Sequence, residues 1–567
     1  MNKLAKYTLT AVLAAGAMLS AAPAKAFCGF YVSGAGEKMF NNATQVVIMR
    51  EGMRTVLSMQ NNYQGPPSNF AMVVPVPVVL QKENVKTLPQ DIFSRVDQLA
   101  APRLVEYWEQ DPCFQPDYGH IGMRARGAAI PPPAPLAAAA MRDERVVIEA
   151  QFTVGEYEVV ILSAKDAGGL DSWLKDNGYK IPEGSEPYFR PYIESGSKFF
   201  VAKVDVSKVK FADGMATLSP LRFHYDSDKF NLPIRLGLVN ASGAQDLIVH
   251  ILAKQKRYEV ANYPNVTIPT NLDVSDKARD NFGPFYAALF DRTLEKNPKA
   301  VITEYSWDAG SCDPCPTPAL TPSELATLGA DALTDGDGAN PGIGMPMPQQ
   351  PGARTPNAPP APLRAPPPRR FWGGGNFVLT RLHARYTKDS LGEDMVFREA
   401  ASIAGGREFM GQGGKLEEGA VPYPMNNFQG RYAMRHPWTG PITCANPVRN
   451  RWGGPPSHVE ASMRGTQPKA ATNLAFVKRG GVELASFLQR DVPELGIVGK
   501  GDRSTGVGPD PNAGRLPVGG GIGGPTSALR APSLGAPHDP NGGELAFYLV
   551  PFAFGLLSAA LMRGKKS

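Results

Sequence analysis

The sequence lacks the short motifs that mark the commonest catalytic sites. It contains neither a His-Glu-x-x-His pair nor a G-x-S-x-G nucleophile elbow, so metallohydrolase and α/β-hydrolase chemistry have no visible scaffold. The histidines are scattered singly along the chain, at His120, His224, His250, His383, His436, His458 and His538. From the sequence we therefore predict no catalytic residue, no cofactor-binding residue and no metal ligand.

A dense basic run is also absent. The chain has 59 Lys and Arg residues against 53 Asp and Glu residues, a formal net charge of +6, and the basic residues are spread out. No Lys/Arg cluster alternates with aromatic side chains, which is the usual pattern of a nucleic-acid-binding surface. We expect a weakly positive surface and no nucleic acid partner.

The first apolar run of the chain is too short to span a membrane. Two lysines precede an apolar core of eleven residues, Leu9–Leu19, and Ala24-Lys25-Ala26 then matches a small-x-small cleavage site. These features predict a signal peptide over residues 1–26, which makes Phe27 the first mature residue. Lipidation of Cys28 is disfavoured because Phe27 stands where a lipoprotein needs a small residue.

The last apolar run is long enough to cross a bilayer. Residues 545–562 are eighteen residues without a charge. A helix of that length is roughly 27 Å long, close to the thickness of the hydrocarbon core. We predict a transmembrane tail at 545–562 and a basic cytoplasmic end at 563–567, with the rest of the mature chain outside. A sorting tail that is removed after export is the alternative.

Cysteine is scarce, and the five residues are Cys28, Cys113, Cys312, Cys315 and Cys444. In an exported chain disulfides are the default, which leaves one thiol over. The motif Cys312-Asp313-Pro314-Cys315 predicts a disulfide between its own two cysteines, and the other three are candidates for a further one. A reactive thioredoxin-like pair needs a following helix that lowers the thiol pKa, but Pro316, Pro318 and Pro322 follow instead. A zinc site would need two more ligands.

Apolar and β-branched runs dominate residues 27–312, which we interpret as a β-rich exported domain. Two hairpins are predicted at 46–60 and 146–162. Further strands are expected at 199–204, 221–225, 234–239 and 247–252. Helices are few: one follows Pro89, and a second short one is expected around Leu104 and Trp108. The pattern predicts an α+β fold, mainly antiparallel β with a few short helices.

Residues 71–79 are dense in valine but contain Pro75 and Pro77. Because proline cannot donate to a ladder of hydrogen bonds, this run predicts an edge strand or an extended segment. The alternative is that it lines a ligand-binding groove.

Two stretches rich in Pro, Gly and Ala predict long disordered linkers, one at 313–370 and a flexible stalk at 498–544. Between them, residues 371–497 regain apolar runs, with strands expected at 377–386 and 427–436. We interpret this second ordered segment as completing the domain that residues 27–312 begin.

Several stretches together resemble one known family. They are Cys28-Gly29-Phe30-Tyr31-Val32, Phe40 to Val47, Asn69-Phe70-Ala71-Met72-Val73-Val74-Pro75-Val76-Pro77, Leu232-Pro233-Ile234-Arg235-Leu236-Gly237 and Arg431 to Trp438. The set resembles an uncharacterised family of exported bacterial proteins that is known only as a domain of unknown function. The resemblance covers roughly residues 27–310 and 371–460. It implies a location in the envelope of a Gram-negative bacterium, and it implies no activity, because the family has none assigned.

These observations favour a membrane-tethered protein of the cell envelope, with a binding or structural ectodomain and no cofactor. Its expected partners are the membrane, through the C-terminal helix, and an envelope protein or ligand of unknown identity. The rival hypothesis is an exported thiol–disulfide oxidoreductase that uses Cys312 and Cys315.

Overall fold

A computed structural model describes residues 30–33, 43–60, 70–113, 146–177, 179, 183–212, 215–238, 244–333, 376–387, 390, 392–407, 417–455, 468–472 and 480–500. The predicted signal peptide, the predicted membrane tail and nearly all of the predicted stalk lie outside these residues. Among the helices that are described, none is both long enough and apolar enough to cross a membrane.

Strands make up most of the described regular structure. They are β1 Phe30–Ser33, β2 Ala43–Glu51, β3 Arg54–Gln60, β4 Phe70–Val76, β5 Val85–Thr87, β6 Arg103–Glu109, β7 Val146–Val154, β8 Tyr157–Ala164, β9 Lys198–Val204, β10 Lys210–Ala212, β11 Met215–Thr217, β12 Leu221–Asp226, β13 Asn231–Leu232, β14 Gln245–Lys254, β15 Arg257–Val260, β16 Asn265–Thr267, β17 Leu272–Asp273, β18 Val301–Asp308, β19 Phe377–Tyr386, β20 Met395–Ala400, β21 Ile403–Gly405, β22 Val421–Pro422, β23 Asn427–Gln429, β24 Arg431–His436, β25 Trp452–Gly453 and β26 Lys469–Ala470.

The helices are fewer and mostly short. The α-helices are α1 Asp91–Ala100, α2 Ala167–Asp176, α3 Glu186–Glu194, α4 Phe282–Lys296, α5 Pro322–Leu325 and α6 Asp331–Leu333, with a π-helical turn at Ala326–Ala330 between the last two. Single 3₁₀ turns occur at Lys82–Asn84, Val206–Lys208, Arg235–Leu238, Asp276–Ala278, Leu484–Ser486 and Pro493–Leu495. The predicted class, mainly antiparallel β with a few short helices, is confirmed.

The largest sheet is mixed. Its strands follow the order β22-β21-β23-β18-β19-β14-β2-β3-β12-β5, and β16 pairs with β18 from outside this path. Three of its pairs are parallel, β2 with β14, β16 with β18 and β21 with β23, and the others are antiparallel. The predicted hairpin at 46–60 is confirmed as β2 and β3, joined by a two-residue turn in which Gly52 has a φ of +55°.

A second, antiparallel sheet has the order β1-β4-β9-β8-β7 and contains the other predicted hairpin as β7 and β8. Its strand β4 pairs with β1 only over Phe70–Val73, so Pro75 lies beyond β1, where the missing N–H of proline costs no ladder bond. The edge-strand prediction is therefore wrong for the first half of β4 and holds at the proline.

Three smaller sheets complete the described part. One has the order β13-β20-β15, the second is the β10–β11 pair, and the third has the order β17-β24-β6-β25, with β26 also paired to β6. In the third sheet β6 and β24 run parallel over six residue pairs.

Alternation along the strands explains how the layers stack. In β2, Val46 and Ile48 face the five-stranded sheet, whereas Val47 and Met49 face helix α1 and the helical segment after Leu320. In β9, Phe200 and Ala202 share the core with the large sheet, whereas Phe199 and Val201 pack under α2 and α3. The two sheets thus pack face to face with helices outside each. Helix α4 caps a further core with Tyr432 and Leu488.

The sequence explains where helix α1 begins and ends and which of its faces is buried. Its apolar residues Ile92, Phe93, Val96 and Leu99 are buried on one side, and Asp91 stands in the first turn, where a carboxylate suits the helix dipole. Pro102 ends it, as the sequence predicts, and its last residue is Ala100.

The helix expected around Leu104 and Trp108 is wrong, because this stretch is strand β6. A spacing of four places two residues on one face of a helix and also on one face of a strand, so periodicity cannot separate the two. Parallel pairing with β24 decides for the strand.

Two other predicted strands are corrected by tertiary contacts. Residues 234–239 contain a 3₁₀ turn, Arg235–Leu238, and the backbone N–H groups of Ile234 and Arg235 donate to Asp394 rather than to a strand. The single strand expected at 427–436 is two strands in different sheets, β23 and β24, separated by Gly430.

The predicted linker at 313–370 begins too early. Residues 313–333 are ordered, since Leu320, Leu325, Leu328 and Ala332 are buried against the large sheet. Thr321 starts α5 with a capping box, in which Glu324 and Thr321 satisfy each other's backbone N–H groups. The start predicted for the stalk, at 498, is also too early, because the Lys500 N–H donates to the Ala485 carbonyl over 2.8 Å.

Strand β19, which follows the insertion at 334–376, lies between β18 and β14. Residues on both sides of the insertion therefore share one sheet. Alternate side chains of β19 carry charge: Arg381, His383 and Arg385. The first two are fully buried.

A β-bulge in β18 supplies the partner of this charged row. The β18–β19 register shifts between Thr303 and Tyr305, which leaves Glu304 as the extra residue. A bulge re-aims the side chain it carries, and here the fully buried Glu304 accepts from Arg381 Nε over 2.6 Å and contacts His383 Nδ1 over 2.7 Å.

The buried network extends to neighbouring elements. Arg381 also donates to Asp97 of α1, and His383 Nε2 lies 3.3 Å from Asp246 of β14. Tyr286 of α4 donates to Glu304 over 2.6 Å. One charged row therefore links two helices and three strands.

Electrostatics keeps Glu304 and His383 charged. Burial alone would raise the pKa of Glu304, but His383 and Arg381 outweigh it and lower that pKa to about 2. Burial would likewise lower the pKa of His383, but Glu304 and Asp246 outweigh it and raise that pKa. A protonated His383 ring donates from both nitrogens to carboxylates, as the geometry requires.

We expect Arg381→Gln to lower the free energy of unfolding by about 3–5 kcal/mol, because buried Asp97 and Glu304 would both lose the Arg381 cation and Glu304 would keep only His383. The measurement is urea unfolding of the full-length protein. The matched control is Arg398→Gln, since Arg398 pairs with Glu259 through a side chain that is 58% exposed, and such a pair is worth less than about 1 kcal/mol. Equal losses in the two variants would contradict the central role of the network.

Candidate functional site

A cleft of about 560 Å³ opens where loops at the ends of several elements meet. The turn of the β2–β3 hairpin contributes Met53, and the residues directly after β4 contribute Pro77 and Val78. The remaining walls are formed by the end of α3, by the segment from β12 to the 3₁₀ turn Arg235–Leu238, and by Asp394, the residue before β20.

The lining combines apolar walls with charged and hydroxyl groups. The apolar residues are Met53, Pro77, Val78 and Pro191; the acids are Asp226, Asp228 and Asp394; the bases are Lys229 and Arg235; the uncharged polar residues are Tyr192, Ser195, Ser197, Ser227 and Asn231. Its volume lies within the range of roughly 300–1,000 Å³ that is usual for small-molecule sites.

Asp394 holds one side of the cleft together. Its Oδ1 accepts from the Tyr192 hydroxyl over 2.7 Å, from the Ile234 N–H over 2.9 Å and from the Arg235 N–H over 3.3 Å. Burial raises the pKa of this carboxyl, although these hydrogen bonds act in the opposite direction. Helix α3, the 3₁₀ turn and the start of β20 are thereby fixed to one another.

Arg235 presents its guanidinium to the cleft. The nearest carboxylate oxygen, Asp394 Oδ1, lies 3.8 Å from its Nε, and that Nε is buried without a hydrogen-bond partner among the described residues. Asp226, by contrast, accepts two N–H groups of Arg54, over 2.6 and 3.0 Å. The arrangement can hold a small polar molecule by fixed charges against an apolar floor.

In a comparison with known protein families, residues 22–398 match the family DUF2330, which is described as an uncharacterized protein conserved in bacteria. The chain belongs to the DUF2330 family. The match spans about two thirds of the chain, and it confirms the resemblance to a domain of unknown function. No curated protein and no solved structure matches the chain.

All residues that line the cleft lie inside the segment that matches DUF2330. Two of the stretches that carry the resemblance meet there, since 69–77 ends in Pro77 and 232–237 contains Arg235. The groove suspected at 71–79 therefore exists at its C-terminal end, where Pro77 and Val78 line the cleft, whereas Met72 to Val76 are buried in the sheet.

The structure joins Cys312 to Cys315 within the DUF2330 segment. Buried Arg103 donates to the Pro314 carbonyl over 2.8 Å and Gln429 donates to the Asp313 carbonyl over 2.6 Å, so the loop between the cysteines is held at two points. The next helix, α5, begins only at Pro322. No helix N-terminus among the described residues directly follows the pair.

Cys113 and Cys444 form a second disulfide across 331 residues of sequence. It attaches the irregular segment after β24 to the end of β6. Buried Glu109 anchors the same segment by accepting from the Trp438 and Asn450 N–H groups, over 3.0 and 2.7 Å, and from Arg449. Cys28 lies outside the described residues, so its thiol stays a candidate from sequence alone.

Four of the seven histidines lie in the described part of the chain. His120, His458 and His538 lie outside the described residues. His224 contacts Asn84, and His436 stacks on Trp108 at 4.7 Å between ring centroids, with its Nε2 3.0 Å from Glu106. His383 belongs to the buried network, and buried His250 lies beside it, with its Nε2 3.2 Å from an Nη of Arg381. Within the described residues, no group of three or more His, Cys, Asp or Glu side chains is arranged to hold a metal ion.

Sequence reasoning missed Tyr192, Arg235 and Asp394 as partners. Tyr192 and Arg235 are more than forty residues apart in the sequence, and Arg235 and Asp394 are more than one hundred and fifty apart, so no local pattern joins them. The buried network did leave a signal, which is the alternation Arg381-x-His383-x-Arg385 within an otherwise apolar strand.

The two disulfides differ in the loop they close, which makes them a matched pair. We expect Cys113→Ser with Cys444→Ser to lower the free energy of unfolding by roughly 4–5 kcal/mol, because the bond constrains a very long loop of the unfolded chain. Cys312→Ser with Cys315→Ser should cost only about 2 kcal/mol, because it closes a very short loop. Denaturant unfolding of the oxidised full-length variants measures both, and a larger loss for the short loop would refute the expectation.

Proposed function

We propose that this DUF2330 protein is an exported protein of the bacterial envelope, tethered to a membrane by residues 545–562, whose ordered domain binds a small polar ligand in the cleft. The binding role is supported mainly by one observation: two stretches that are far apart in the sequence and that both carry the family resemblance, 69–77 and 232–237, line the same cleft through Pro77 and Arg235. Fixed polar groups on loops held by a rigid scaffold are the usual construction of a binding site.

Export is supported by two independent features. The first is the signal-peptide pattern of residues 1–26. The second is the pairing of four of the five cysteines, since such bonds persist in oxidising compartments. Tethering is supported by the uncharged run of eighteen residues and the basic end after it.

Fractionation of a Gram-negative host that expresses the full chain tests the export and the tether together. We expect mature protein that starts at Phe27, stays in the membrane fraction after carbonate washing and yields peptides from 545–562 in mass spectrometry. Deletion of 545–567 should release the protein into the periplasm. Protein that retains residues 1–26 in the cytoplasm would overturn export, and a mature form without 545–562 would identify a sorting tail.

A blocked cleft tests the binding role. Ser195 lines the cleft and is exposed, so Ser195→Trp should fill it without disturbing the core. We expect small polar molecules that bind the full-length protein in ligand-observed NMR to lose roughly tenfold or more in affinity, since a blocked pocket forfeits most ligand contacts. Ser207→Trp is the control, because Ser207 is exposed away from the cleft. Absence of binding to the unmodified protein, or equal binding by both variants, would overturn the proposal.

Thiol–disulfide exchange at Cys312 and Cys315 remains a second hypothesis, because Cys315 is exposed and a partner could approach its sulfur. The start of α5 at Pro322 opposes it, since among the described residues no helix N-terminus directly follows the pair. A thiol titration decides: resistance of this bond to mild reductants in the native protein would exclude the exchange reaction.

A further inference from the structure

We propose that the cleft recognises an oxyanion of its ligand, a carboxylate or phosphate group, and that Arg235 binds this group with Lys229 as a second cation. The inference rests on the ligand-binding role proposed above and deepens it. It follows from which charged groups of the cleft are already satisfied by the protein and which are not.

The acidic groups are largely committed. Asp226 accepts two N–H groups of the Arg54 guanidinium, and Asp394 accepts three donors at Oδ1. These bonds keep both carboxylates turned toward protein donors. Asp228 is exposed, as is the neighbouring Lys229, so solvent screens both charges.

The two cations are available. The Nε of Arg235 is buried without a hydrogen-bond partner among the described residues, and its ion-pair partner Asp394 Oδ1 lies 3.8 Å away. Lys229 is exposed on the same wall, and its ammonium has no ion-pair partner among the described residues.

The shape of the guanidinium favours an oxyanion over a halide or a neutral polyol. Its N–H groups form a planar fork that matches the two oxygens of a carboxylate or phosphate. The Tyr192 hydroxyl is committed to Asp394, and the Ser195 hydroxyl donates to the Tyr192 carbonyl over 2.8 Å and lies 3.0 Å from the Ser197 hydroxyl. Asp394, 3.8 Å from Arg235 Nε, holds the cation in place without a hydrogen bond to it.

The experiment titrates the full-length protein in detergent with four probes: succinate, inorganic phosphate, glucose and putrescine. We expect succinate or phosphate to bind, and Arg235→Gln to weaken that binding by roughly 10- to 100-fold, as loss of a charge-assisted hydrogen bond does. Arg190→Gln is the matched control, since Arg190 pairs with Glu186 on the exposed face of α3 outside the cleft. Lys229→Gln, at an exposed position, tests the same site if Arg235→Gln does not fold.

Each result separates this inference from the binding role itself. Binding of glucose or putrescine that Ser195→Trp abolishes, with no oxyanion bound, would overturn the oxyanion and leave the cleft as a ligand site. Oxyanion binding that neither Arg235→Gln nor Lys229→Gln weakens would place the anion elsewhere and overturn the inference. Failure of all four probes to bind would overturn both proposals. Weaker binding in the cleft variants, with unchanged binding in Arg190→Gln, supports the inference.

Discussion

The described fold depends on one buried ion pair, between Arg381 of β19 and Glu304 at the bulge of β18. Both side chains are fully buried, and an unpaired charge in such a place would cost several kcal/mol. A slip of β19 by one residue would turn Arg381 and His383 to the opposite face, away from Glu304. The pair therefore specifies the register in which the chain re-enters the sheet after residues 334–376.

The same strand leads to the cleft. Asp394 follows β19 by a few residues, and its three accepted hydrogen bonds tie the end of α3 and the 3₁₀ turn to the start of β20. The cleft is thus built by loops, and the sheets behind those loops have both faces covered. This division of labour is common: packed layers hold the geometry, and loops at their ends carry the recognition groups.

The parts of the fold that depend on local pattern could be predicted from the sequence. Both hairpins, helix α1 and the strands β9, β12, β14 and β19 follow from alternation, turn glycines and proline stops. The predictions that were wrong also have physical reasons. Leu104 and Trp108 are four residues apart, a spacing that helix and strand share, and parallel pairing with β24 decided for the strand. Residues 313–333 have the composition of a linker, yet a few buried leucines fix them against the large sheet.

For the candidate site, the local sequence predicted little. Residues 71–79 were suspected as a groove, and their end does line the cleft, but the partners Tyr192, Arg235 and Asp394 come from three distant segments. The sequence by itself determined the class of the fold, the cysteine motif, the family stretches and the expectation of export, because each of these depends on residues close together along the chain. Only the tertiary structure decided which charges meet, in the buried network and in the cleft. Contacts between these charged side chains depend on strand order and register, which long-range packing sets.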